Sequence, residues 1–225
     1  EGGQDYETPF TRLRVIAPLY ANLVHVLVPR GSTVTSLAEL AGARISVGSA
    51  GSGTEQVARQ ILEAYGFTYE DVDARYLTFS ESAASLRDGA IDAAIISVGY
   101  PAAAVLEATT TGGARLISIE GERIERLRER YPYYSGGEIP AQAYPGVEED
   151  ISTIAMMNWI VARDDLDPAV VRLLLDILRN DRETLAQVHE MAGQIRVDDL
   201  ADAPIPLHPG AEAWLSQHGP VPEYP

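Results

Sequence analysis

Residues 44–62 read RISVGSAGSGTEQVARQIL, and this stretch indicates the fold class. Arg44–Val47 is a short apolar run typical of a buried strand, and Gly48–Gly53 is a loop of glycine, serine and alanine. Thr54–Tyr65 carries apolar residues at spacings of three and four, which is typical of a helix. A strand that leads through a short loop into a helix predicts an α/β fold.

The same alternation of strands and helices recurs along the chain. Further strands are expected at Leu13–Ala17, Leu23–Val28, Ala74–Thr78, Ile91–Val98, Arg115–Ile119 and Ile151–Ala162. Further helices are expected at Ser36–Leu40, from a Ser80 cap to Leu86, and at Pro101–Thr110, Glu122–Arg130, Pro168–Asn180 and Arg182–Ala192. This alternation of strands and helices predicts a parallel sheet covered by helices on both faces. The aromatic segment 131–144 is expected to be a lid, a partner surface or a loop whose rings cover the sheet edge. The proline-rich tail is expected to follow the surface.

Composition excludes several classes of function. The 225 residues contain no lysine and no cysteine, and 33 acidic against 17 basic residues give a net charge of −16. Without lysine there is no Walker phosphate loop and no Schiff base, and without cysteine there is no disulfide or zinc-thiolate site. The negative charge argues against nucleic-acid binding, which needs a basic surface.

The loop 48–54 is the first candidate site. Glycines allow a tight turn and a close approach of the backbone to a ligand, and the first amides of the following helix are free to donate hydrogen bonds. Ser49, Ser52 and Thr54 add hydroxyl groups. This combination suits an anion such as a carboxylate. The alternative is a turn in which Ser52 only caps the helix.

Two further segments are candidates because they lie at strand ends. Ser97-Val98-Gly99-Tyr100-Pro101 follows an apolar strand, so that Ser97, the Gly99 backbone and Tyr100 can contact a ligand, although a turn with a packed tyrosine is the alternative. Tyr20 lies between the first two strands. His25, alone in an apolar strand, is expected to be a core residue. We assign no metal site, no cofactor and no catalytic triad, and the acidic clusters at 148–150 and 198–202 are expected to be solvated surface.

Several motifs together resemble a known family of receptors. They are Arg14–Tyr20, Ser36–Gly48, Gly51–Glu55, Asp88–Ala93 with Gly99–Pro101, and the tyrosine segment from Tyr131 to Gly146. The chain is similar over about residues 12–195 to the TRAP-associated extracytoplasmic immunogenic (TAXI) receptors, which serve tripartite ATP-independent periplasmic (TRAP) transporters. Gly-Ser-Gly-Thr-Glu and Gly-Tyr-Pro are the more specific of these motifs.

The resemblance implies a type II periplasmic binding-protein fold whose two lobes close on a small solute. Family members carry an earlier glycine-rich segment that is missing here, so one lobe, residues 21–149, is expected to be complete and the other, residues 1–20 and 150–225, partial. The implied ligand is a small carboxylate or a glutamate-like amino acid. The implied ligand-binding residues are Tyr20, Ser49, Gly51, Ser52, Gly53, Thr54, Ser97, Gly99, Tyr100 and Pro101.

The implied function is delivery of that solute to TRAP membrane subunits from an extracytoplasmic location. An alternative use of the same fold is a sensor or interaction domain, for example the ligand-sensing part of a membrane signalling protein. An enzyme is the least supported class, because no paired base, nucleophile or metal constellation is evident in the sequence.

Overall fold

The computed structural model describes residues 8–111 and 113–218. The strands are β1 (Leu13–Pro29), β2 (Arg44–Ser46), β3 (Asp73–Arg75), β4 (Ala93–Val98), β5 (Ala114–Ile117), β6 (Tyr134–Ile139) and β7 (Ile151–Arg163). The α-helices are α1 (Gly53–Ala64), α2 (Phe79–Arg87), α3 (Ala103–Thr110), α4 (Gly121–Arg130), α5 (Pro168–Asn180), α6 (Arg182–Val188) and α7 (Pro209–His218). Short 3-10 helices span Leu37–Glu39, Glu190–Gln194 and Val197–Asp202. The predicted α/β class is confirmed.

The sheet is mixed, and the predicted all-parallel sheet is wrong. Its strand order is β3-β2-β4-β1-β7-β6, and β5 also pairs with β1. β2 runs parallel to β3 and β4, because the intervening helices return the chain to the same end of the sheet. β1 runs antiparallel to both β4 and β5, and β6 runs antiparallel to β7.

The first two predicted strands form one strand of 17 residues, so the predicted break at Pro18 and Asn22 is wrong. Proline fixes a φ that extended backbone tolerates and removes only one N–H group, so a strand can continue through it. The strand predicted at Ala74–Thr78 is shorter than expected, because β3 spans Asp73–Arg75.

Two predicted helix starts are also corrected. The cap of α2 is Thr78 rather than Ser80: the Thr78 hydroxyl accepts from the Glu81 amide, and the Glu81 carboxylate accepts from the Thr78 amide at 2.8 Å. This reciprocal pair is a capping box. Pro101 does not open α3, which begins at Ala103.

One strand and one α-helix were not predicted. β6 lies inside the aromatic segment that was expected to be loop, lid or edge cover, and its two glycines concealed it because glycine is rare in strands. The tail contains α7, which has proline at its first helical position. Trp214 of α7 is almost fully buried, so this part of the tail is core.

The chain divides into two compact units. One takes the described residues of Glu1–Tyr20 and Met157–Pro225, and the other is Ala21–Met156. In the first, Val15, Ile16 and Ala17 of β1 pack with α5 and with Trp214. In the second, two apolar clusters include residues of β4 and β1. All the candidate site residues except Tyr20 belong to the second unit.

Candidate functional site

The loop 48–54 connects β2 to α1 as the sequence predicts. The Ser52 hydroxyl accepts from the Glu55 amide at 3.2 Å, and it therefore caps α1. The Ser52 amide donates to the Ser49 carbonyl at 3.0 Å. These two bonds fold the loop back onto the first turn of the helix.

Gly48 and Gly51 give the loop its path. Their φ angles are +90° and +72°, a region that side chains other than glycine rarely adopt. A Cβ atom added to Gly48 would lie 2.8 Å from Cγ2 of Thr54. Thr54 is buried, so the loop backbone approaches the helix closely at a point where only glycine fits.

Several hydrogen-bond donors remain free at the start of α1. Within the part of the chain that the structure describes, the amides of Gly53 and Thr54 and the hydroxyls of Ser49 and Thr54 have no hydrogen-bond partner. The helix is 12 residues long, and its dipole places partial positive charge at this end. Ser49 and Gly53 are exposed, so their donors are accessible to an anion, whereas Thr54 is buried.

Glu55, which sequence reasoning did not single out, supports this loop from below. Its carboxylate lies 2.5 Å from the Arg59 guanidinium and accepts from the Tyr69 hydroxyl at 3.0 Å. It also accepts from the Gly51 amide. Burial raises the pKa of Glu55, but these three donors together outweigh burial and hold the pKa below its usual value. A serine followed three residues later by glutamate was the available sequence signal.

Arg59 and Tyr69 complete the cluster. The Glu55 carboxylate raises the pKa of Arg59, so the guanidinium stays charged. Burial, and then the hydrogen bond to Glu55, raises the pKa of Tyr69, so its hydroxyl stays protonated and donates. The Arg59 guanidinium also lies 5.5 Å from the centre of the Tyr69 ring. The charge of Glu55 is therefore matched locally and does not oppose an anion at the loop.

The second predicted segment lies at the end of β4. β2 and β4 are parallel, with Ser46 opposite Ala94, so the loops that follow them emerge at the same edge of the sheet. Ser97 and Gly99 are buried, and Pro101 is exposed after a cis peptide bond. Tyr100 is half-buried and packs against an apolar cluster of the same unit.

A buried polar chain anchors the residues that follow Pro101. Nδ1 of His25 lies 3.0 Å from the Leu23 carbonyl oxygen, which can only accept, so Nδ1 carries the proton. Nε2 of His25 then accepts from the Tyr144 hydroxyl at 2.9 Å, and the Tyr144 oxygen accepts from the Ala102 amide at 2.9 Å. Desolvation lowers the pKa of His25 to about 4. His25 is a core residue, as expected, and it fixes the backbone beside the candidate turn.

Tyr20 is the one candidate residue in the other unit. It lies within β1, and its carbonyl oxygen accepts from Nδ2 of Asn158 at 2.8 Å. This bond belongs to the first unit, and the role of Tyr20 stays a prediction.

The described residues include no group of three or more His, Asp or Glu side chains arranged to hold a metal ion. In the same residues, no helix has both the length and the apolar character needed to cross a bilayer. The acidic residues at 148–150 are exposed.

A comparison with protein families gives a match over nearly the whole chain. The profile of the NMT1-like family matches residues 1–219. The chain belongs to the NMT1-like family.

Solved structures of periplasmic binding proteins are similar to this NMT1-like chain. The aliphatic sulphonate binding protein SsuA from Escherichia coli is 17% identical, and the match covers 90% of this chain and 56% of that one with a TM-score of 0.45. The putative sulfonate-binding SsuA from Methylobacillus flagellatus KT is 15% identical, with 94% and 57% covered and a TM-score of 0.49. A Brucella ovis periplasmic binding protein with glutathione bound is 15% identical, with 86% and 49% covered and a TM-score of 0.43. This chain thus spans about half to three fifths of the length of these structures.

Proposed function

We propose that this chain is an extracytoplasmic solute-binding receptor and that it binds a small carboxylate or a glutamate-like amino acid. Its units Ala21–Met156 and Glu1–Tyr20 with Met157–Pro225 would correspond to the two lobes of such a receptor. Membership of the NMT1-like family is compatible with this proposal. The observation that carries it is the set of free donors at the start of α1.

Those donors match a carboxylate in number and in chemistry. The amides of Gly53 and Thr54 point out of the first helical turn, where a carboxylate oxygen can accept both. The hydroxyls of Ser49 and Thr54 extend the set to the second oxygen. The protein as a whole carries −16 charges, which repel an anion at long range, but salt screens that repulsion beyond about 8–10 Å. Affinity therefore depends on the local donors.

The role proposed for the 97–101 turn is to contact the rest of the solute. Its backbone begins at the same sheet edge as the 48–54 loop and is anchored by Tyr144 through Ala102. Tyr100, Gly99 and Ser97 are the residues of the turn that we assign to contact. Tyr20 belongs to the other unit, and we keep it as a candidate ligand-binding residue only because the resemblance to TAXI receptors implies it.

We further propose that the receptor serves a TRAP transporter, as the resemblance to TAXI receptors implies. In this role the chain binds and releases its solute without chemical change, so it is a binding protein and not an enzyme. The direct experiment is uptake of labelled solute into proteoliposomes that hold TRAP membrane subunits, with and without the receptor. Uptake that does not depend on the receptor would overturn the assignment to this transporter class.

A thermal-shift screen of organic acids and amino acids tests the ligand class itself. A bound solute stabilises the folded state by RT ln(1 + [L]/Kd), which is about 2.7 kcal/mol at a hundredfold excess over Kd. We expect stabilisation by at least one small carboxylate or amino acid and none by the corresponding amides or esters. Equal effects of acid and amide would contradict a carboxylate site.

A further inference from the structure

Strand β6 (Tyr134–Ile139) ends the sheet with an open edge. The strand order places it last, next to β7, and in the described part of the chain it pairs with β7 alone. Six residue pairs join the two strands, from Tyr134 opposite Met156 to Ile139 opposite Ile151. The other side of β6 therefore has no partner strand among the described residues.

The direction of the free backbone groups follows from two hydrogen bonds. The Tyr134 amide donates to the Tyr131 carbonyl at 3.0 Å, and the Ser152 carbonyl, opposite Glu138, accepts from the Ile119 amide at 2.9 Å. The Tyr134 amide and the Ser152 carbonyl therefore make no hydrogen bond between β6 and β7. Because successive residues of a strand direct their N–H and C=O groups to opposite sides, Gly136 and Glu138 direct theirs to the open edge. Both residues are exposed.

A groove of about 400 Å³ lies between this edge and α4, and its lining includes Gly136, Glu138, Ile124 and Glu125. A Cβ atom added at Gly136 would meet nothing nearer than Cγ2 of Ile124 at 4.0 Å. Packing therefore does not require glycine there. Its absent side chain leaves room for a side chain that belongs to another strand.

The next residue shows the contrast. A Cβ atom at Gly137 would lie 2.8 Å from Cδ2 of Leu23, so the core requires that glycine. Of these two glycines, only Gly136 has a Cβ position that is open toward the groove.

Charge indicates which side chain fits the groove. Glu138 has no ion-pair partner among the described residues, and Glu125 lies 2.9 Å from the exposed Arg128. Natural edge strands are commonly protected by an outward lysine or by a bulge, whereas this edge presents a carboxylate and glycine. A second copy of the chain would bring the same carboxylates together on two molecules of −16 net charge. A cationic partner is the complementary occupant.

We propose that the β6 edge at Gly136–Glu138 is a docking site for an extended segment of a partner protein, which adds a strand and places a Lys or Arg side chain in the groove. The backbone groups of Gly136 and Glu138 supply the hydrogen bonds, and the carboxylate of Glu138 supplies the preference for a cation. This site is independent of the proposed solute site, which uses different residues.

A labelled peptide binding assay with the whole chain tests the proposal. The probe is the β-prone heptapeptide Thr-Arg-Val-Arg-Val-Arg-Thr, compared with its alternately N-methylated form and with the glutamate analogue Thr-Glu-Val-Glu-Val-Glu-Thr. We expect binding of the first peptide alone, since N-methylation removes strand hydrogen bonds and leaves the charge unchanged. Equal binding of the N-methylated peptide would show non-specific attraction of a cation and overturn the proposal.

Variants of the chain locate the site. Gly136→Pro removes an outward N–H group, Gly136→Val fills the groove, and Glu138→Gln removes a charge; each is expected to weaken binding by about fivefold or more. Ser135→Ala, whose backbone faces β7, and Glu122→Gln are the controls and should bind as the parent chain does. Thermal melts identify any variant that fails to fold. If Gly136→Pro does not fold, Gly136→Val and Glu138→Gln still test the site.

The remaining outcomes also decide the question. Unchanged binding by Gly136→Val and Glu138→Gln would overturn the site. A dimer seen by sedimentation that Gly136→Pro abolishes, without peptide binding by the parent chain, would assign the edge to a second copy and overturn the cationic partner.

Discussion

The carboxylate of Glu55 lies 2.5 Å from the guanidinium of Arg59, one helical turn further along α1. Only 8% of the Glu55 side chain is exposed, whereas half of the Arg59 side chain is. The pair therefore holds a buried charge directly beneath the loop that we propose as the carboxylate site.

The first prediction concerns Glu55→Gln. The substitution removes a charge that accepts from Arg59, Tyr69 and Gly51, and we expect a loss of about 1–3 kcal/mol in the free energy of unfolding. The control is Glu122→Gln, which breaks the exposed pair of Glu122 with Arg126, also four residues apart. That change should cost about 0.5 kcal/mol or less. Urea unfolding at pH 7 measures both.

The same variant has a pH signature. The folded-state pKa of Glu55 is lowered, so its stabilising contribution is present above the unfolded-state pKa of about 4.3 and is lost as pH falls through the folded-state value. The stability difference between the parent chain and Glu55→Gln should therefore shrink in acid. A difference that stays constant to low pH, or equal costs for Glu55→Gln and Glu122→Gln, would contradict the assigned role.

The second prediction is that Gly48→Ala disrupts the conformation of the 48–54 loop. The added Cβ would lie 2.8 Å from Cγ2 of the buried Thr54, at a φ of +90° that alanine disfavours. We expect a loss of about 2 kcal/mol or more in stability, together with loss of solute binding. Gly31→Ala is the matched control, because nothing lies within 4 Å of its Cβ position and its φ is not positive. Comparable melting temperatures for the two variants would refute the close approach at Gly48.

The third prediction follows from His25. Its pKa is about 4 in the folded chain, where desolvation disfavours the cation, and about 6.5 in the unfolded chain. The unfolded state binds the proton first, so stability falls as pH drops from 6.5 toward 4, by about 3 kcal/mol in total. His25→Gln keeps one donor and one acceptor but has no such titration. Unfolding curves measured between pH 7 and 4.5 should lose less stability in this variant than in the parent chain.

The exposed His189 provides the control for this titration. His189→Gln removes an exposed imidazole that lies outside the hydrogen bonds of His25, and it is compared with His25→Gln under the same conditions. If the stability of His25→Gln depends on pH in the same way as that of His189→Gln, the hydrogen bonds that link His25, Tyr144 and Ala102 do not hold a neutral imidazole.

Local signals in the sequence were sufficient for the elements around the loop. The strand at Arg44–Ser46, the glycine turn and the α1 helix have consistent propensities, and Ser52 caps α1, as the alternative interpretation of the loop predicts. Local chemistry is enough here because the turn, the cap and the helical spacing are all set within twenty residues. The same holds for α4 and α5, whose predicted bounds agree with the structure within a residue.

Long-range pairing could not be predicted from local pattern. β1 continues through Pro18 in a sheet where β4 and β7 are its neighbours, and β6 forms around Gly136 and Gly137 because β7 pairs with it. The sheet is mixed for the same reason: strand direction depends on which strands meet. The hydrogen bonds of Glu55 to Tyr69 and of His25 to Tyr144 join residues that are not neighbours in sequence, so no local motif predicts them.

The most direct test of the account is calorimetric titration of the whole chain with L-glutamate and with a panel of small carboxylates, repeated for Ser49→Ala and Thr54→Val. We predict a Kd in the micromolar range or below for at least one of these solutes, and an affinity about tenfold lower in Thr54→Val, with Ser80→Ala, an exposed hydroxyl on α2, unchanged. No detectable binding by the parent chain, or equal affinity in all the variants, would contradict a carboxylate site at the start of α1.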